Sequence, residues 1–177
     1  MTRGSPLLLG AAVILLAAAT ASPLDRMSGR YDRHFKNGTV FGEVYYSDDI
    51  LEIVPLDRRR AYFRARTNFS NGHSCSIHGV THVEGSELVY RATSGTFTTG
   101  ARCEMRLRIV GDSIDLVDAN QACRQLCGAR GGYEGPPEFR LRTRRPIRYL
   151  GRLRRSPQYL EALREDELRR RSQRRGI

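Results

Sequence analysis

Apolar and polar residues alternate through most of the chain between residues 29 and 143, and turn-forming residues separate the alternating runs. The clearest run is 102–109, in which every second side chain is apolar and the others are charged. The apolar members are Cys103, Met105, Leu107 and Ile109, and the charged members are Arg102, Glu104, Arg106 and Arg108. A period of two with one apolar side predicts an antiparallel strand whose other face meets water.

Seven further short runs lie between turn signals such as Asn37-Gly38, Asn71-Gly72 and Gly111-Asp112. They span residues 31–35, 51–56, 61–69, 76–83, 87–92, 114–118 and 139–143. The pattern therefore predicts a mainly β protein, a small antiparallel barrel or sandwich of about eight strands, with one or two C-terminal helices. A barrel of this size has an interior filled by side chains or room for one small ligand.

The chain begins with the pattern of a secretory signal peptide. Arg3 precedes an uncharged apolar run over residues 7–19, and Ala19-Thr20-Ala21 follows with small residues at the cleavage positions. A membrane-spanning helix needs about 20 apolar residues, which is more than this run contains. We therefore expect cleavage after Ala21, no transmembrane segment in the mature chain, and a periplasmic or secreted location.

Export changes the interpretation of the four cysteines, Cys75, Cys103, Cys123 and Cys127. An even number of cysteines in an oxidising compartment predicts two disulfides. The alternative is a zinc site, which needs two short cysteine pairs or added histidines at metal-binding spacing. Only Cys123 and Cys127 are close in sequence, so the sequence favours disulfides.

The directions of the predicted strands suggest how the cysteines pair. If the strands alternate in direction, Cys75, Cys103 and Cys123 lie at one end of the sheet, and Cys103 and Cys123 flank neighbouring strands. Cys75 and Cys103 are separated by an intervening strand, roughly 10 Å apart, which exceeds disulfide reach. The preferred pairing is Cys103–Cys123 with Cys75–Cys127. Cys75–Cys103 with Cys123–Cys127 remains an alternative if Cys75 lies in a bent loop.

Charge divides the chain into two regions. The full chain carries a net charge of +11, but residues 22–139 hold fourteen Arg and one Lys against fifteen acidic residues. Residues 140–177 hold fourteen Arg against four acids. We therefore divide the chain into a signal peptide (1–21), a disulfide-stapled β domain (22–143) and a basic helical tail (144–177).

Within the tail, Ser156-Pro157 is a helix start, with Ser as the N-cap and Pro at the first helical position. A narrow apolar stripe is expected on the helix that follows, formed by Leu160, Leu163 and Leu168. In one interpretation, apolar residues of the tail pack on the barrel and its arginines are a solvated face. The packing residues are then Ile147, Tyr149, Leu150 and Leu160.

In the other interpretation, the tail binds an anionic surface such as lipid head groups, lipopolysaccharide or nucleic acid. The candidate anion-binding residues are Arg144, Arg145, Arg148, Arg152, Arg154 and Arg155.

No pattern in the sequence predicts a catalytic, metal or cofactor site. His73 and Cys75 would serve as base and nucleophile only if Cys75 were a free thiol. His78 and His82 lie four residues apart on a predicted strand, about 13 Å, too far for one metal ion. The glycine-rich segment 128–132 lacks the Lys-Ser/Thr of a nucleotide-binding loop.

Several stretches together resemble a family of uncharacterised exported bacterial proteins. They are FKNGTV (35–40), DILEIVP (49–55), NGHSCSIHG (71–79), CRQLCGARGG (123–132) and RRPIRYL (144–150). The resemblance implies a periplasmic or secreted location and no established activity. Size, export and disulfides also give a loose architectural likeness to small β-barrel lysozyme inhibitors.

The sequence thus predicts a non-enzymatic envelope protein that acts as a binding or inhibitor module, with an envelope protein or an anionic surface as its partner. The alternative is an anionic-surface binder that works through the arginine-rich tail. A hydrolase built on His73 and Cys75 is a third hypothesis.

Overall fold

The computed structural model describes residues 21–95, 100–128, 131–133 and 139–176. Eight antiparallel strands follow one another in sequential order around a nearly closed barrel, which confirms the predicted fold class. The strands are β1 (Gly29–Gly38), β2 (Val44–Pro55), β3 (Arg60–Asn68), β4 (Ser74–Glu84), β5 (Glu87–Gly95), β6 (Arg102–Val110), β7 (Ser113–Asp118) and β8 (Phe139–Arg140). Apart from Ala21, the predicted signal peptide lies outside the described residues.

The barrel closes through the chain that follows β8. The last strand is shorter than predicted, because β8 ends at Arg140 and residues 141–143 form a 3₁₀ turn. This turn redirects the chain to the free edge of β1, where Arg30 and Arg145 exchange two backbone hydrogen bonds of 2.8 and 2.9 Å. The bend that shortens β8 therefore carries the tail to β1.

The inward side chains of the strands form one continuous apolar core. Cys103, Met105 and Leu107 are at most 1 % exposed, as the alternation in 102–109 predicts. A short helix before β1, α1 (Pro23–Met27), adds Leu24 and Met27 to one end of this core. Helix α1 thus covers the end of the barrel at which β1 begins.

The two disulfides lie at the opposite end of the barrel. Cys103 pairs with Cys123 and Cys75 pairs with Cys127, which confirms the preferred pairing. Cys75 and Cys103 stand near the starts of β4 and β6, and both partners lie on or directly after a 3₁₀ turn that follows β7 (Ala122–Leu126). Two covalent links therefore hold this turn against the barrel, and each is expected to stabilise a small domain by about 2–5 kcal/mol.

The tail packs on the outside of the barrel. It contains α2 (Leu150–Leu153) and α3 (Pro157–Arg175). The predicted N-cap is confirmed, since the Ser156 Oγ accepts a hydrogen bond from the Tyr159 N–H at 3.3 Å. A second apolar cluster joins the outer face of β2–β4 to both helices, and its buried members are Val54, Tyr62, Val80, Leu153, Tyr159 and Ala162.

The predicted leucine stripe on this helix is wrong. Leu160 and Leu168 are 51 % and 59 % exposed, and only Leu163 packs against the second cluster. The buried face instead carries Tyr159, Ala162 and Asp166. The outer surface of β3 presents a tyrosine ring and a guanidinium here, so an aromatic residue and a carboxylate fit it better than leucine.

Helix α3 also covers a gap in the sheet. β4 and β5 pair over only three residues each, and beyond His82 the strands separate. The Tyr90 ring fills the space beside Gly79, where a Cβ would lie 2.3 Å from Tyr90 Cε2. The Glu165 carboxylate on α3 accepts hydrogen bonds of 2.9 Å from the N–H and Oγ1 of Thr93. The helix thus supplies a hydrogen-bond acceptor to part of the β5 edge that does not pair with β4.

No helix within the described residues combines the length and apolar character needed to cross a membrane.

Candidate functional site

Two buried carboxylates fix the tail on the barrel, and they determine which charged groups stay available for binding. The first is Glu52 on β2, whose side chain is fully buried. It forms ion pairs with Arg30 and Arg64 and accepts a hydrogen bond from the Tyr149 hydroxyl of the tail. A buried charge is tolerated when paired in this way. Removing the tail would leave the two arginines in place, but it would remove the Tyr149 hydrogen bond and the cover over Glu52.

The second is Asp166 on α3, which is 4 % exposed. Its oxygens lie 2.7 Å from Arg60, 2.8 Å from His82 Nε2 and 2.7 Å from Arg169. Burial opposes ionisation, but the hydrogen bonds from His82, Arg169 and Arg60 outweigh it and hold the pKa of Asp166 well below its usual value. Asp166 therefore remains charged at neutral pH.

The six arginines predicted to bind anions fall into two groups. Arg144 and Arg145 are used structurally. Arg144 donates to the carbonyls of Asp25 and Arg26 at the end of α1, and Arg145 pairs with Asp32. These contacts join the tail to the first strand and helix.

The other four arginines lie on the exposed side of the tail and are Arg148, Arg152, Arg154 and Arg155. Arg152 lies over the Tyr149 ring, 5.3 Å from its centroid. Within the described residues, Arg148, Arg154 and Arg155 have no side-chain hydrogen bond or ion pair. Arg144 and Arg145 are also exposed, so the two groups differ in their contacts with the barrel and not in their exposure.

The histidines and cysteines considered for chemistry have structural contacts. Cys75 is in a disulfide, which leaves no thiol for a nucleophile beside His73. His78 and His82 lie on β4 and face acids of α3, at 3.6 Å from Glu161 and 2.8 Å from Asp166. Within the described residues, no group of three or more His, Cys, Asp or Glu side chains is arranged so that it could hold a metal ion. Ala129 and Arg130 of the glycine-rich segment lie outside those residues.

A projecting ribbon is the most distinctive surface of the barrel, and the sequence patterns did not single it out. β1 and β2 pair from Gly29–Ile53 out to Gly38–Val44, whereas β3 pairs with β2 only as far as Ile50. Residues 33–49 therefore form a two-stranded ribbon, here called the ribbon, that extends past the end of β3. Four large apolar side chains are exposed on it: Val40 (63 %), Phe41 (90 %), Val44 (58 %) and Tyr46 (65 %).

Hydrogen bonds to the end of β3 and to the loop after it hold the ribbon from its base to near its tip. The Asp49 carboxylate accepts from the Asn68 N–H at 2.7 Å, and Asn37 Nδ2 donates to the Phe69 carbonyl at 2.9 Å. The Tyr45 hydroxyl accepts from the Gly72 N–H at 2.9 Å. One face of the ribbon is thus anchored.

Burial raises the pKa of Asp49, and the hydrogen bonds from Asn68 and the charge of Arg33 partly offset this effect. The Asp49 carboxylate, which accepts the hydrogen bond from the Asn68 N–H, is thus shielded from water at the base of the ribbon.

The opposite face and the tip of the ribbon are free but ordered by local contacts. The Tyr46 ring stacks on His34 with centroids 5.0 Å apart, and His34 Nδ1 lies 2.7 Å from Asp48. At the tip, the Thr39 N–H donates to the Glu43 carbonyl at 2.9 Å. Phe41 is thereby presented to solvent on a turn that is closed by its own hydrogen bonds.

One sequence feature could have indicated this surface. The segment TVFGEVYY (39–46) lies between the predicted strands 31–35 and 51–56 and places Phe41 directly before Gly42, a turn-forming residue, where a buried side chain is not expected. Four exposed apolar residues in one continuous segment form a patch, and such patches mark interaction sites more often than isolated exposed residues do.

Comparisons with protein-family models, curated proteins and solved structures find no match to this chain. The arguments for function therefore depend on the geometry of the chain itself.

We expect Asp166→Asn to lower the free energy of unfolding at pH 7 by about 3 kcal/mol, because it removes one partner of a buried charge cluster. The folded-state pKa of Asp166 is lowered, so its contribution is complete well above the unfolded pKa of about 3.9 and is lost as the pH falls through the folded pKa. Urea unfolding at pH 7 and pH 3 should show a smaller difference between variant and wild type in acid.

Glu167→Gln is the matched control, because Glu167 lies on the same helix but its carboxylate is 43 % exposed and pairs with the half-buried Arg170 and the exposed Arg171. It should change stability far less. Equal destabilisation by the two variants, or a difference for Asp166→Asn that does not change with pH, would contradict the role assigned to Asp166.

Proposed function

We propose that the protein is an exported, non-enzymatic binding module of the cell envelope that contacts a partner protein through the tip of the ribbon. The observation that carries the proposal is the 90 % exposure of Phe41 on an anchored, hydrogen-bonded ribbon. Burying such a side chain in a partner's pocket contributes to affinity, and a ribbon ordered beforehand lowers the entropic cost of binding.

Export is supported by two features of the described residues. The two disulfides suggest an oxidising compartment. Cleavage after Ala21 would leave Ser22 as the first residue, and the Ser22 nitrogen already lies 3.2 Å from the Asp25 carboxylate in a capping box. A charged α-amino group at this position would strengthen that contact.

A protein partner fits the tip better than an anionic membrane does. The tip from residue 36 to residue 46 carries Lys36 and Glu43, whose charges cancel, so it offers no positive charge to anionic lipid. Its apolar side chains also stand on a narrow two-stranded ribbon, a shape that suits insertion into a groove. We therefore assign the tip to a partner protein with an apolar cleft, as an inhibitor loop would require.

The arginines of the tail support a second candidate function, binding to an anionic surface. The observation that favours it is the exposure of Arg148, Arg152, Arg154 and Arg155 on one segment of the tail. Deleting the tail would not test this proposal, because the deletion would also remove the Tyr149 hydrogen bond to Glu52 and uncover Tyr62 and Val80. Substitution of the exposed arginines leaves those contacts in place.

We expect Phe41→Ser to weaken binding to the partner about 30-fold or more without lowering the thermal unfolding midpoint, because the side chain makes its contacts only in the complex. A photo-crosslinking residue at position 41 of the full chain, expressed in its own host, should yield a discrete crosslinked protein. Titration of that purified protein with wild type and variant then measures the affinities.

Val110→Ser is the control for the ribbon, because Val110 is 48 % exposed at the end of the barrel opposite the ribbon. It should leave the affinity unchanged. Equal affinity of wild type and Phe41→Ser, or binding of the wild-type ribbon to neutral lipid vesicles in place of a protein, would contradict the assignment.

For the tail, replacing all four exposed arginines with Gln should weaken binding to anionic vesicles and flatten its dependence on salt, because fewer counterions are released. Co-sedimentation at several salt concentrations measures both effects. Identical salt dependence for wild type and variant would exclude the tail as an anion-binding surface.

A further inference from the structure

A cleft of about 1200 Å³ lies between the C-terminal half of α3, the β2–β3 turn and the strands β5 and β6. It shares no lining residue with the ribbon or with the four exposed arginines of the tail. Seven arginines line it against three acidic side chains. This excess of positive charge in one concave surface attracts anions.

Four of the seven arginines are neutralised by neighbouring carboxylates. Arg60 pairs with Asp57 and Asp166, and Arg91 pairs with Glu84 and Glu104. Arg169 and Arg170 both contact Asp166 as well. These side chains form a fixed wall whose charge is largely compensated.

The remaining three arginines carry the excess. Arg58 and Arg59 lie in the β2–β3 turn and Arg102 begins β6, all three exposed. In the part of the chain that the structure describes, their side chains make no hydrogen bond or ion pair. Asn120 holds the backbone at Arg102, since its Nδ2 donates to the Arg102 carbonyl at 2.6 Å.

We propose that this cleft binds a small ligand that carries two or more phosphate groups. Guanidinium groups bind phosphate oxygens through paired, charge-assisted hydrogen bonds. The positive charge of three unpaired arginines is more than a ligand with a single carboxylate could neutralise. Val83, Ala92 and Leu168 add an apolar part to the lining, which suits an organic ligand over a bare inorganic ion.

Clustered phosphates occur both in soluble metabolites and in the head groups of phosphorylated lipids, and the cleft recognises the chemistry they share. Isothermal titration with inorganic pyrophosphate at low salt tests the soluble source. Co-sedimentation with vesicles that contain a lipid bearing a bisphosphorylated head group tests the lipid source. Both measurements use the full chain.

The triple variant Arg58→Gln, Arg59→Gln, Arg102→Gln should bind the probe at least about tenfold more weakly than wild type, since each change removes a charge-assisted contact. Its thermal unfolding midpoint should be unchanged. The matched control is Arg66→Gln, Arg108→Gln, Arg124→Gln, which removes three exposed positive charges that belong neither to the cleft nor to the tail. The control should bind pyrophosphate as wild type does.

Binding of either probe that is lost in the cleft variant and retained in the control supports the proposal. Equal weakening in the two triple variants would show a general effect of net charge and would overturn it. Absence of binding to pyrophosphate and to the bisphosphorylated vesicles would also overturn it. Failure of the ribbon assignment leaves this result unaffected, because no residue is shared.

Discussion

The docking of an arginine-rich tail on the barrel by buried carboxylates is the interaction on which the rest of the structure depends. Glu52 holds the first part of the tail through Tyr149, and Asp166 holds α3 through Arg60 and His82. Between them, Tyr159 packs on Tyr62 with ring centroids 4.7 Å apart. Charge and apolar packing thus act together, and the tail becomes the outer layer of the sheet where β4 and β5 separate.

This docking changes how the charge of the chain is interpreted. The positive excess of the tail is partly used internally, because arginines contact Asp32 and the end of α1. Unpaired positive charge lies on the exposed side of the tail and also in the cleft beside α3, where Arg58, Arg59 and Arg102 of the barrel supply it. The tip of the ribbon, residues 36–46, has no net charge and is a third surface, with apolar rather than electrostatic character. Each surface therefore suits a different kind of partner.

Local sequence patterns predicted the features that depend on local backbone geometry. The alternation in 102–109 identified β6 and its inward face, and the order of strands identified the pairing of Cys103 with Cys123. The same order disfavoured a bond between Cys75 and Cys103, because a strand lies between them, and left it as an alternative that the observed disulfides rule out. These predictions succeeded because strand period and strand separation are fixed by backbone geometry.

Features that depend on a distant surface were not predictable in the same way. The buried face of α3 contains Asp166, whose burial is favourable only because Arg60 and His82 lie opposite it on other strands. In the sequence, Phe41 does not differ from the apolar residues of the core. Its exposure follows from the unequal lengths of β2 and β3, which place it beyond the barrel. The cleft likewise combines Arg58 and Arg59 with Arg102, which lies more than forty positions later in the sequence.

Native-state hydrogen exchange of the full chain tests the docked tail most directly. If α3 is the outer layer of the barrel, its central amides should be protected to the same degree as those of β3, because α3 opens only when its buried contacts with the sheet are lost. Exchange of the α3 amides at the rate of an isolated helix, while β3 remains protected, would contradict this account.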